Sequence, residues 1–159
     1  MQDDKQQQER VFRSSERFDA NRVRAAAVYC SDGRWGDQCD DLLHHGLELP
    51  RYDRLALPGG PACLATSFAT YHEEQAVIEQ LRFLVKVHGL ERVILIAHQD
   101  CAFYTERLHI SVEQLEAQQR EDLCKAGQRI MSLFERLRVD AYFAHKLPDG
   151  QIEFESLRS

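Results

Sequence analysis

Arg92-Val-Ile-Leu-Ile-Ala-His-Gln-Asp-Cys101 is the stretch that decides the fold. Its run of aliphatic residues shows no polar alternation, the mark of a parallel strand covered on both faces. Upstream, Val77, Leu81, Leu84, Val85 and His88 recur at three- and four-residue spacing and Gly89 follows. That predicts a helix from about Thr70 to His88 with a glycine stop. Arg24 to Tyr29 (RAAAVY) reads as a second buried strand and Arg54 to Leu57 as a short third. Gly36 to His45 reads as a helix closed by Gly46. Downstream, Ser111 is the expected cap of an amphipathic helix reaching Leu137. Asp140 to His145 form a strand, and Pro148-Asp-Gly150 turns the chain into Ile152 to Phe154. Strands alternating with helices predict an α/β fold, a mainly parallel central β-sheet flanked by helices.

The 159 residues contain no repeat, linker or low-complexity tract, so one domain over 1–159 is expected. Residues 1–20 read as a polar helical arm whose apolar face, with Val11, Phe12 and Phe18, is too sparse to fold alone. Such an arm is expected to pack on a partner subunit. A net charge of −6 without a basic run argues against a nucleic-acid partner. No apolar run approaches the roughly 20 residues that span a bilayer, so no membrane partner is expected. The polar start MQDDKQQQER lacks a signal-peptide core. A cytoplasmic protein acting on a small molecule is the expectation.

Cysteines 30, 39, 63, 101 and 124 are odd in number and follow no disulfide framework. Two of them sit where strands run out, in Cys30-Ser-Asp-Gly-Arg34 and in His98-Gln-Asp-Cys101. Ligands of open α/β sheets bind at such carboxyl ends. Two thiolates and one imidazole suit Zn2+, and three protein ligands leave a fourth position open. Cys30, His98 and Cys101 are therefore the candidate metal ligands. If the chain stays extended past Tyr29, Cys30, Asp32 and Arg34 point to one side. Asp32 is then placed to accept a hydrogen bond from a metal-bound water, with Arg34 holding its carboxylate by a forked ion pair. Cys39, Cys63 and Cys124 read as small apolar fillers. The other histidines show no ligand spacing, and the Glu/Gln/Arg-rich face of 113–129 reads as solvated.

These two motifs, in this order, resemble the C-x-D-x-R and H-x-x-C pattern of the β-class carbonic anhydrases. Gln80 to Val93 (QLRFLVKVHGLERV) is similar to that family's helix–glycine–strand segment, and AYFAHKLPDGQIEFESL to its terminal strand, turn and strand. Pro58-Gly59-Gly60 resembles the end of its Arg-Asn-Ala-Gly-Gly stretch. The resemblance implies zinc on Cys30, His98 and Cys101, a catalytic dyad of Asp32 and Arg34, and a homodimer or multiple of dimers. It also implies a substrate pocket that includes Gly59 and Gly60. Asn21 stands in that pocket for a glutamine of the family, and Phe83 for a tyrosine. Ala56 and Leu57 replace its usual Arg and Asn, and alanines 97 and 102 replace glycines around the second motif. The segment between Gly60 and Gln80 carries an insertion. The metal set is intact while the pocket set is altered.

The function this implies is zinc-dependent hydration of carbon dioxide to bicarbonate by zinc-bound hydroxide. Two alternatives keep the zinc: hydrolysis of a related small molecule such as carbonyl sulfide or carbon disulfide, or a binding or assembly role without turnover.

Overall fold

The computed structural model describes residues 11–157. Strand β1 (Ala25–Cys30) leads into helix α1 (Gly33–Asp41), which widens into one π turn over Leu42–Gly46. Strand β2 (Asp53–Leu57) is followed by two 3-10 turns, Gly60–Ala65 and Phe68–Thr70, and by helix α2 (Tyr71–His88). Strand β3 (Arg92–His98), a π turn at Phe103–Arg107, helix α3 (Val112–Leu133) and the hairpin of β4 (Arg138–Lys146) and β5 (Ile152–Leu157) complete the order.

The five strands lie in the order β2-β1-β3-β4-β5, with the first four parallel and β5 antiparallel to β4. The α/β expectation holds. The glycine-closed helix before β3 holds too, and Gly89 takes the left-handed backbone (φ 64°) that ends α2. Arg22 fastens that end by donating to the carbonyls of His88 and Gly89.

Side chains alternate across the central strands, so each strand feeds two cores. Ala26, Val28, Val93 and Leu95 face α2 and α3, where Val77, Leu81, Leu123 and Ile130 cover them. Ala25, Ala27, Ile94 and Ile96 face α1, where Cys39 and Leu43 meet them. The residues from Val93 to Ile96 are all fully buried, each contributing roughly 2 kcal/mol over an exposed position. Burial also pushes the Cys39 and Cys63 thiols up to about 12, consistent with inert fillers.

Three expectations change. Residues 11–20 carry neither helix nor strand, and Val11, Phe12 and Phe18 are exposed; so few apolar side chains offset little of the cost of ordering a helix there. Residues 1–10 of the expected arm lie outside the described residues. Helix α1 begins at Gly33, three residues early, because Asp32 caps it. Helix α3 ends at Leu133, short of Leu137, where the chain turns into β4. Among the described residues no helix is long and apolar enough to cross a membrane.

Gly60 joins the loop after β2 to the end of β1. Its φ is +52°, and a Cβ there would lie 2.7 Å from the Cys30 nitrogen and from the Tyr29 carbonyl carbon. Gly60→Ala is expected to cost about 2–4 kcal/mol, from a left-handed alanine and a backbone clash. Urea unfolding reads this as a lower midpoint at unchanged slope; an unchanged midpoint would contradict the close approach.

Candidate metal centre

β1 and β3 are neighbours in register, with Tyr29 opposite Ile96, so Cys30 and His98 emerge side by side. The sheet order places this pair at the point where successive connections leave in opposite directions, the crevice that open α/β sheets use for ligands. Past His98 the chain must double back within two residues for Cys101 to join. Asp100 makes that turn by adopting φ +55°, a backbone that aspartate tolerates better than most residues. Cys30, His98 and Cys101 are all buried, and their ligand atoms lie within 4.8 Å of one another.

The two sulfurs are 3.8 Å apart. Two thiolates held at about 2.3 Å from one zinc at a tetrahedral angle would stand ~3.8 Å apart. His98 Nδ1 faces the Gln99 carbonyl at 2.7 Å, which makes it the protonated nitrogen. That leaves Nε2 as the free lone pair, and it is buried with no hydrogen-bond partner among the described residues. A buried, unpaired acceptor between two thiols is a costly arrangement on its own. The donor set therefore fits a zinc ion.

Contact between the two thiols shifts them in opposite directions. Cys101, hydrogen-bonded to the Cys30 sulfur, drives the Cys30 thiol well below its ordinary value, with help from the backbone N–H groups of Asp32 and Gly59. Cys101 moves up for the same reason, and burial adds to it. The pair thus reaches the thiolate form most readily at Cys30, the form a metal takes.

Asp32 and Arg34 come together, but by a different route from the extended chain expected. Asp32 is the N-cap of α1: its Oδ1 accepts from the Arg34 backbone N–H at 3.0 Å, and its carbonyl from Trp35 N–H at 3.0 Å. The Arg34 guanidinium folds back in a fork, Nε to Oδ1 at 3.0 Å and Nη2 to Oδ2 at 2.6 Å. That pairing holds the Asp32 carboxyl down to about 2. The Asp32 side chain is 22% exposed and Arg34 80% exposed, so the pair stands at the mouth of the centre.

Of the four candidate pocket residues, two are at the centre. Gly60 lies on the Cys30 backbone, and Gly59 lies against the Phe103 ring. Asn21 lies four residues before β1, at the end of the strand away from Cys30, and the strand's six residues alone span roughly 17 Å. Phe83 is exposed on the later half of α2. This chain brings neither of them to its own metal centre.

Two residues at the centre escape a reading by motif. Trp35 stacks on the His98 ring, centroids 4.6 Å apart and planes 26° from parallel. Gln119, within the face expected to be solvated, is 1% exposed and donates to the His98 carbonyl at 2.8 Å. Asp122 is buried beside it on α3, with its carboxyl pushed up by burial. A glutamine and an aspartate one helical turn apart, on the same stripe as Leu115 and Leu123, are the signal that this polar face turns inward.

Comparison with known proteins agrees with the geometry. An uncharacterized protein of Rickettsia conorii is 27% identical over 140 residues, covering 84% of this chain and 72% of that protein. Among solved structures, the β-carbonic anhydrase CafD of Aspergillus fumigatus superposes with a TM-score of 0.56 at 12% identity, over 86% of this chain and 90% of its own. A carbonic anhydrase from Glaciozyma antarctica gives 0.53 at 16%, over 82% and 80%. At such identities the likeness is one of fold. The family described as "Putative carbonic anhydrase" matches residues 20–155, and the chain belongs to that family.

Proposed function

We propose that this protein is a zinc-dependent hydratase of carbon dioxide. The observation that carries the reading is the buried Cys30, His98 and Cys101 cluster, its sulfurs spaced as one zinc requires, beside a carboxylate held by arginine. A zinc ion bound there supplies Lewis acidity that brings the pKa of a coordinated water towards ~7.

The chain's own residues have defined tasks in this reading. Asp32, ionised at neutral pH, accepts a hydrogen bond from the attacking oxygen and orients its lone pair towards the substrate. Arg34 occupies both carboxylate oxygens and keeps Asp32 from swinging into the fourth ligand position. Gly60 lets the backbone close against Cys30, and Gly59 lets it close against Phe103, where a side chain would intrude. The exposed Val11, Phe12 and Phe18 suit burial against a second copy, so a homodimer belongs to the proposal.

The alternative substrates are carbonyl sulfide and carbon disulfide, since both take the same nucleophilic attack at carbon.

Stopped-flow hydration of carbon dioxide tests the first reading: the zinc-loaded protein is expected to exceed buffer, and Asp32→Asn to lower kcat by about 10²-fold or more while zinc content stays at one per chain. A rate equal to buffer, with the sulfur compounds consumed, moves the assignment to the second. No turnover of any of the three leaves a zinc protein with a binding role. A pH prediction follows from Arg34. Asp32 has its pKa depressed, so its pair is complete above the ordinary carboxylate range and is lost only as pH falls through about 2. The rate profile is therefore expected to show no limb from Asp32 in the neutral range; Arg34→Ala should bring an acid limb towards it.

A further inference from the structure

His98 is restrained on three sides. Its Nδ1 is tied to the Gln99 carbonyl and its own carbonyl to Gln119. The Nδ1 contact holds one edge of the ring against rotation about Cβ–Cγ and leaves its face to packing. The Trp35 indole, stacked at 4.6 Å and 26°, covers that face and limits how far the ring can tilt. Trp35 is itself placed by the cap of α1, through its N–H to the Asp32 carbonyl at 3.0 Å. One helical turn thus carries both the Asp32–Arg34 pair and the surface against which His98 rests.

We propose that Trp35 is a positioning residue for the metal: it fixes the His98 imidazole with Nε2 aimed between the two sulfurs, and so raises zinc affinity. The inference rests on the zinc reading above. The stack favours the loaded state in particular, because coordination withdraws charge from the imidazole and an indole face attracts a more positive ring. Partners that orient ligating histidines are commonly hydrogen bonds; here an aromatic face from a different element does the same task. Trp35 touches neither substrate nor metal, and its effect is transmitted through His98.

The test is zinc affinity, measured by competition with a chromophoric chelator on the full chain after metal removal. Trp35→Ala is expected to bind zinc about five- to tenfold more weakly than the parent. Trp35→Phe, which keeps an aromatic face, should recover most of that loss. Trp35 is also the single tryptophan of the chain, so its emission should change on zinc addition and saturate at one zinc per chain. If the parent binds one zinc and Trp35→Ala binds it equally tightly, the positioning role is wrong and the zinc reading stands. If the parent takes up no zinc, both are wrong. Should Trp35→Ala not fold, emission of the parent that stays flat while the competition assay records one bound zinc overturns the inference.

Discussion

The parallel pairing of β1 with β3 is the constraint on which the rest of this molecule depends. It is made of backbone hydrogen bonds between two strands buried on both faces, so its register cannot slip without moving apolar side chains between two separate cores. The register sets Tyr29 opposite Ile96 and leaves Cys30 and His98 protruding together from the sheet. Everything chemical is then added by short local turns. A left-handed Asp100 returns Cys101 to the site, a capped helix returns Arg34 to Asp32, and a left-handed Gly60 closes the loop onto Cys30.

The Cys30, His98 and Cys101 cluster hangs from the central strands, where a change of residue costs core packing. The pocket residues inferred by likeness sit elsewhere: Asn21 in the exposed lead-in to β1, and Phe83 on the solvent side of α2. Their replacement costs the single chain little. The electrostatics are concentrated in the same small region. Two thiols lie in contact, an imidazole lone pair is left unpaired, and a carboxylate is held ionised by a guanidinium that is itself mostly in water. The first two are what a cation between them would satisfy; the third is the work of Arg34.

Much of this was readable in the residues alone. Val93 to Ile96 admitted only a doubly covered strand, and Gly89 ended the helix before it. The meeting of Cys30, His98 and Cys101 followed from two motifs at strand ends. What was not readable depended on context. Gly33 is a poor helix former, so α1 looked later than it is, until the Asp32 cap supplied the missing start. Gln119 lies in a stretch of Glu, Gln and Arg whose composition says solvent, and only the packing of α3 over the end of β3 turns it inward. Trp35 is adjacent in sequence to Arg34, but its stack on His98 joins residues from two different strand ends.

What Cys30, His98 and Cys101 hold decides the chemistry open to this protein. X-ray absorption at the zinc edge of the purified full-length protein would read that shell directly. Two sulfurs at about 2.3 Å, one nitrogen near 2.0–2.1 Å and one further light atom are the predicted result. A shell of oxygen and nitrogen alone, or a protein that retains no zinc, would contradict it.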